Sequence, residues 1–239
     1  MKRHRGSGLG ACLLLGGALL WPGPVAARVF SRGAARAVAL EARALGAAGV
    51  QEYVLEINGA PARVAVMSTA RGPAGALAGL RAAEPPLAAW AGPGAAFGLR
   101  LDADRVTRYL AVRLRQRGCV VLRLEQTPAE FERSLRPPPS RELPVLLPPG
   151  ATLTLWLARP EARLTTGLFD APGSPAAVRA FYHRQLSQDG WTRLPPLVDP
   201  AHAPFDAYAR EERLLLLSTQ AVAGRGGTRA VVLMKTISP

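Results

Sequence analysis

The chain has 239 residues, with 30 Lys and Arg against 17 Asp and Glu, and a formal charge of +13. Its only cysteines are Cys12 and Cys119; with Cys12 in the segment read below as a removable leader, the one remaining thiol cannot staple the chain to itself, so the fold must rest on packing. The positive excess draws such a chain toward anionic surfaces, lipid head groups or acidic glycans among them, without specifying a nucleic acid; its lysines are Lys2 and Lys235 alone, and an Arg-, Ala-, Gly- and Pro-rich composition is also what a GC-rich genome produces.

The start reads Met1-Lys2-Arg3-His4-Arg5, then the apolar run Leu9 to Trp21, then Pro22-Gly23-Pro24-Val25-Ala26-Ala27. A basic front, a short apolar core and a small-x-small ending are the parts of a secretory signal peptide, read here as residues 1–27 with cleavage after Ala27. The apolar run holds 13 residues, against about 20 for a membrane span, and Pro22 and Pro24 stop any extension, so no span is expected after cleavage. Cys12 lies at the beginning of the run, where a lipoprotein box does not fall, and His4 splits the arginines of a twin-arginine signal. The general secretion route, to a periplasmic or secreted destination, is the expectation. Lys2, Arg3 and Arg5 take three charges with the leader and leave +10 on the rest.

Residues 28–135 read as a first α+β unit. Ala34 to Ala48 is an Ala-rich helix with a thin apolar face, stopped by Gly49 and expected to be peripheral. Asn58-Gly59 closes a two-residue hairpin that pairs Ile57 with Ala60 and sets Tyr53, Leu55, Ile57, Ala62 and Val64 on one face. Pro73 to Ala83 is a short helix, and Trp90 to Gly98 a Gly/Pro-rich loop. In a second hairpin Leu110, Val112 and Leu114 share a face with Val120, Leu122 and Leu124 across the loop Gln116-Arg117-Gly118. Arg113, Arg115 and Arg123 then point the opposite way, beside Cys119, as a candidate anion-binding stripe. Thr127-Pro128-Ala129-Glu130 is a capping box that opens a helix carrying Phe131 and Leu135.

Residues 136–150 hold Pro137, Pro138, Pro139, Pro144, Pro148 and Pro149, a density that forbids helix and reads as a linker. The second α+β unit spans 151–239. Thr152 to Leu157 and Ala162 to Phe169 are strands. Ser174 caps a helix in which Val178, Phe181, Tyr182 and Leu186 recur at helical spacing until Gly190. Trp191 opens an extended stretch, Pro195 to Pro204 is a loop, and Arg213 to Thr219 and Thr228 to Thr236 form a terminal hairpin. Its Leu214 to Leu217 and Val231 to Met234 segments are apolar on both parities and so are expected to be covered on both faces.

The second half aligns on the first: Pro61-Ala62-Arg63-Val64 on Glu161-Ala162-Arg163-Leu164, the helix at Pro73 on that at Pro175, Trp90 on Trp191, and Val120-Val121-Leu122 on Val231-Val232-Leu233. This order of strand, helix and hairpin suggests an internal duplication. The stretch from Ser174 to Trp191, with Val178-x-x-Phe181-Tyr182, Leu186 and Gly190-Trp191, resembles small, uncharacterised exported bacterial α+β modules in which a Phe-Tyr helix packs on a sheet entered through Gly-Trp. The resemblance implies a fold and a compartment, and no activity. Phe181, Tyr182 and Trp191 read as the aromatic joint between helix and sheet.

No nucleophile elbow, His-Glu-x-x-His helix or phosphate-binding glycine loop occurs, and His183, His202 and Cys119 lack the spacing of a zinc site. No catalytic, cofactor or metal residue is therefore assigned. The expectation is two small antiparallel-sheet units, each with a helix on one face, in an exported, non-enzymatic envelope protein that binds or scaffolds a partner protein. The alternatives are a small periplasmic hydrolase using His202 with Asp199 or Asp206, and a basic anion-binding module.

Overall fold

The computed structural model describes residues 32–114, 118–138, 145–195, 205–222 and 226–237. The expected leader, residues 1–27, lies outside these residues, as do His202, Asp199 and Arg115. The described chain is mixed α+β and mostly sheet: four α-helices, one 3-10 turn and twelve strands that pair antiparallel. It divides into two compact units, one of residues 32–55 and 60–135, the other of residues 56–59 and the described residues from 136 on.

The first unit holds α1 (Arg32–Leu45), β1 (Gly49–Ile57, of which residues 56–57 count with the other unit), β2 (Ala60–Thr69), α2 (Pro73–Ala83), β3 (Ala88–Gly92), β4 (Ala95–Leu101), β5 (Val106–Arg113), β6 (Cys119–Gln126) and α3 (Pro128–Ser134). Its strand order is β3-β4-β5-β6-β2-β1. Asn58 and Gly59 both take positive φ, +51° and +76°, which lets β1 turn into β2 within two residues. Thr127 and Glu130 form the capping box at the start of α3.

Leu45, Leu77 and Leu80 from α1 and α2 pack with Met67, Tyr109, Ala111, Cys119 and Val121 in one buried cluster. The two helices approach so closely that a Cβ at Gly79 would lie 3.3 Å from the Ala44 carbonyl oxygen. The helix expected to be peripheral is thus a covering element: α1 ends at Gly46, in the left-handed region at φ +60°, and buries Val38, Glu41 and Leu45. Its apolar stripe is thin because one of its inward positions is a carboxylate.

Two further readings change. The Gly/Pro-rich stretch at Trp90 is a hairpin, β3 and β4, turned at Pro93-Gly94 with Gly94 at φ +88°. In the β5–β6 hairpin Arg113 faces Cys119 and Leu110 faces Leu122; Gly118 has the expected left-handed conformation at φ +80° but pairs with Leu114, whose N–H donates to its carbonyl at 3.1 Å. The register shift is an even number of residues, which keeps every side chain on its expected face. A Cβ at Gly118 would lie 2.1 Å from the Thr69 carbonyl oxygen, so this position admits only glycine.

The second unit holds β7 (Thr152–Arg159), the 3-10 turn Pro160–Ala162, β8 (Leu164–Pro172), α4 (Pro175–Gln188), β9 (Thr192–Arg193), β10 (Asp206–Arg210), β11 (Arg213–Val222) and β12 (Gly227–Thr236). Its strand order is β9-β10-β11-β12-β8-β7, which repeats, strand for strand, the order of the first unit. The short β10 falls between the expected loop, Pro195 to Pro204, and the terminal hairpin, where no element was expected. Val178, Tyr182 and Leu186 of α4 cluster with Phe169, Tyr208, Leu215, Leu217 and Val232. Val145 and Leu147 pack against the same cluster, so the end of the proline-rich run is docked and is not free spacer. Residues 139–144 of that run lie outside the described residues.

Candidate partner-binding edge

Directly opposed pairs run across the first unit from β3 to β2: Trp90 faces Phe97, Phe97 faces Leu110, Leu110 faces Leu122, and Leu122 faces Val66. This apolar row lies on the parity opposite Tyr109, Ala111, Cys119 and Val121, which pack with α1 and α2. Cross-strand apolar neighbours stabilise a sheet pair by pair, but the row is unevenly covered. Val66 and Leu122 are buried, Leu110 is half-buried, Phe97 is 37% exposed and Trp90 57% exposed.

At the outer end the Trp90 and Phe97 rings stack at 5.9 Å between centroids, 29° from parallel. β3 is the last strand of its sheet order, and all five of its residues, Ala88-Ala89-Trp90-Ala91-Gly92, are exposed. It carries no charge and no proline, the devices that usually blunt a free edge. Strand β9, last in the order of the second unit, is two residues long and includes Arg193. The signal for the β3–β4 hairpin was present as Pro-Gly between two alternating stretches, but Ala and Gly are poor strand formers and hid the alternation.

Of the expected arginine stripe, Arg123 is not on the surface. Arg113 is exposed, and Arg115 lies outside the described residues. Arg123 is only 1% exposed, because the face beside Cys119 is the one that α1 and α2 cover. Its Nε donates to Glu41 Oε1 at 2.9 Å, its Nη2 donates to Glu125 Oε2 at 2.7 Å, and Tyr109 Oη donates to Glu41 Oε1 at 2.8 Å. Burial alone pulls the guanidinium pKa down, and the charges of Glu41, Tyr109 and Glu125 outweigh it, so the group stays above the usual arginine value. Burial, reinforced by Glu41, pushes the Tyr109 hydroxyl up. This is an internal ion cluster that ties α1 to the sheet, and a bulk anion does not reach it.

Phe181 and Tyr182 meet edge to face at 5.3 Å and 87°, and Tyr182 lies 6.1 Å from Phe169. Trp191 packs against the same core, half-buried, and its N–H closes the helix end by donating to the Leu186 carbonyl at 2.8 Å. Trp90, its counterpart in the sequence alignment of the halves, faces outward. Asp206, named for the hydrolase reading, is ion-paired with Arg193 at 2.6 Å and with Arg179 at 3.5 Å. His183 is exposed on α4, 6.4 Å from the Tyr208 ring. Among the described residues no three His, Cys, Asp or Glu side chains gather as metal ligands, and no helix is long and apolar enough to cross a membrane.

No family model, curated protein or solved structure matches the chain. The reading of β3 therefore rests on its own geometry.

Proposed function

We propose that this is an exported, non-enzymatic envelope protein that binds a partner polypeptide by strand addition at β3, with Trp90 as the apolar anchor. One observation carries the reading: an uncharged, five-residue edge strand, exposed throughout, at the open end of an apolar row. An edge strand offers unpaired N–H and C=O groups to an extended peptide, and alternate side chains of that peptide fall beside Trp90. The export signal read over residues 1–27 supports the compartment. A shared strand order in the two units supports descent from one duplicated ββαββββ unit, in which the second copy has closed its edge with a short, charged strand and the first has not.

The test is capture from envelope extract on immobilised mature protein, with bound proteins identified by mass spectrometry. Trp90→Ala and Ala88→Lys are the probes, and Leu146→Ala, at an exposed leucine remote from the row in sequence, is the control. Truncation of a buried interface tryptophan costs about 2 kcal/mol or more, a loss of roughly 30-fold in affinity. A partner retained by the wild type and the control but lost from both probes supports strand addition; equal retention by all four proteins, or no retained partner, overturns it.

A further inference from the structure

The loop Pro93-Gly94 leaves Gly92 and Ala95 directly opposite each other, and the residues that flank a two-residue hairpin loop are a hydrogen-bonded pair. Backbone direction alternates along the strand from there. Ala88 and Trp90 turn their N–H and C=O groups toward β4, whereas Ala89 and Ala91 turn theirs to the open edge. Among the described residues nothing bonds to these outward groups, and every residue of β3 is exposed.

This edge is complementary to itself. Antiparallel addition of a second copy about a two-fold axis at Trp90 sets Ala89 against Ala91 of the second copy, and Ala91 against Ala89 of the second copy. Each such pair exchanges both of its bonds, so all the outward donors and acceptors of both strands are used. The neighbouring registers, Ala89 on Ala89 or Ala91 on Ala91, use half of them. In the full register Trp90 faces Trp90 of the second copy at a non-hydrogen-bonded position, where Cα atoms stand about 4.5 Å apart and side chains come closest. Ala88 then faces Gly92 of the second copy, which leaves the two indoles room, and aromatic cross-strand pairs of this kind stabilise a sheet. The Phe97 ring, 5.9 Å from that of Trp90, already backs the indole on the face where its counterpart arrives. The row Val66, Leu122, Leu110, Phe97, Trp90 thereby continues from one copy into the other.

Charge points the same way. A chain of charge +13 repels its own copies over most of its surface, and β3, with no charged residue, is where two copies approach at least cost. Addition also stops at two, because β9, the strand at the other end of the order, is two residues long and includes Arg193. With five residues of β3 on each side, against about 20–30 a side in a standard interface, the contact is weak and reversible.

We propose that β3 pairs with β3 of a second copy of this chain, and that the resulting closed dimer covers the edge until a partner strand displaces it. The inference rests on the reading of β3 as an edge open to strand addition, and it gives that edge an occupant in the partner's absence.

The experiment is sedimentation equilibrium of the purified mature protein over a dilution series from near-millimolar to micromolar. Trp90→Ala removes the facing indoles. Ala91→Pro removes an outward N–H and leaves the ladder to β4 intact, a place in an edge strand that proline tolerates; Leu146→Ala is the control. The wild type is expected to pass from one chain to two and no further, with the dimer tightening as salt screens the net charge. Trp90→Ala and Ala91→Pro should each weaken association by roughly 30-fold, and Leu146→Ala should not. A wild type that stays single throughout, a dimer as stable in either variant as in the wild type, a dimer that salt loosens, or growth beyond two overturns the pairing. Capture from envelope extract that persists while the purified protein stays single removes the self-pairing and leaves strand addition standing; a β3-dependent dimer that retains nothing from extract except this chain supports the self-pairing and removes the separate partner.

Discussion

Glu41 and Arg123 offer the sharpest test of how the first unit is held together. Their side chains are 0% and 1% exposed, and Glu41 is the acceptor for both the Arg123 guanidinium and the Tyr109 hydroxyl. In Glu41→Ala the arginine keeps only Glu125 at 2.7 Å, and Tyr109 loses its acceptor. Breaking a buried pair from one side costs about 3–5 kcal/mol; because Glu125 stays, a loss near 3 kcal/mol is expected, or roughly 15 °C for a unit of this size. Arg123→Met strands the Glu41 carboxylate in the interior and is expected to cost about 4 kcal/mol. In the double variant Glu41→Leu/Arg123→Met no buried charge is stranded, since Glu125 retains Arg105 at 3.6 Å and Arg63 at 4.0 Å. Its loss should be smaller than that of either single variant. Two compact units make one thermal midpoint ambiguous, so the measurement is native-state hydrogen exchange by mass spectrometry, read on peptides covering β2 and β5. Single-variant losses below about 1 kcal/mol that simply add in the double variant would refute a buried, mutually dependent cluster.

Tyr182 is buried and its hydroxyl has no hydrogen-bond partner among the described residues, so Tyr182→Phe is expected to be neutral or to stabilise the second unit by up to about 1 kcal/mol in thermal unfolding; a clear loss would mean that the hydroxyl is bonded. Cys119 is buried and burial raises its thiol pKa, so a maleimide should label the mature protein only after denaturation; rapid labelling of the native protein would contradict the packing of β6. Burial raises the Glu52 carboxyl pKa, with Arg123 opposing, so the folded state holds this proton more tightly than the unfolded chain does. The associated stabilisation is present in acid and is lost as pH rises through the folded value. Glu52→Gln should therefore be slightly more stable than wild type at neutral pH, by less than about 1 kcal/mol given its solvent exposure, and the difference should shrink on acidification; the opposite pH trend in urea unfolding would rule this out.

The elements legible in the sequence were those with an unambiguous local signal. Asn58-Gly59 specified its turn, Thr127 and Glu130 their capping box, and Ser174, whose hydroxyl accepts from the Ala177 N–H at 3.2 Å, the start of α4. Face assignment in the β5–β6 hairpin also survived a register error, because parity is preserved when a slip moves pairing by an even number of residues. What parity leaves open is which face the helices cover. Both faces of β5 and β6 carry apolar residues, and the choice depends on α1, whose inward positions include Glu41. A carboxylate on a helix reads as solvent-facing until its partner is known, and Arg123 lies 82 residues further along the chain. Arg123 reads as a surface residue for that reason, although an arginine marks a surface only if its parity is the wet one at that point of the sheet.

The same argument bears on β3. Its sequence, Ala-Ala-Trp-Ala-Gly, has little propensity for strand, and it forms because β4 supplies a ladder on one side and Phe97 supplies a ring for Trp90. A strand held mainly by one neighbour and one aromatic contact contributes little to the core, so stability alone gives no reason to keep a tryptophan more than half exposed at its centre. In the second unit the strand at the corresponding place in the order is two residues long and charged, which is what a sheet edge needs when it must remain unpaired. The two units thus share a strand order and differ in the strand that ends it. If capture depends on β3, lengthening β9 with a neutral, aromatic-bearing strand should give the second unit a binding edge it now lacks, measurable as a second equivalent of bound partner; a stoichiometry that stays unchanged would show that the edge by itself is not what recognises the partner.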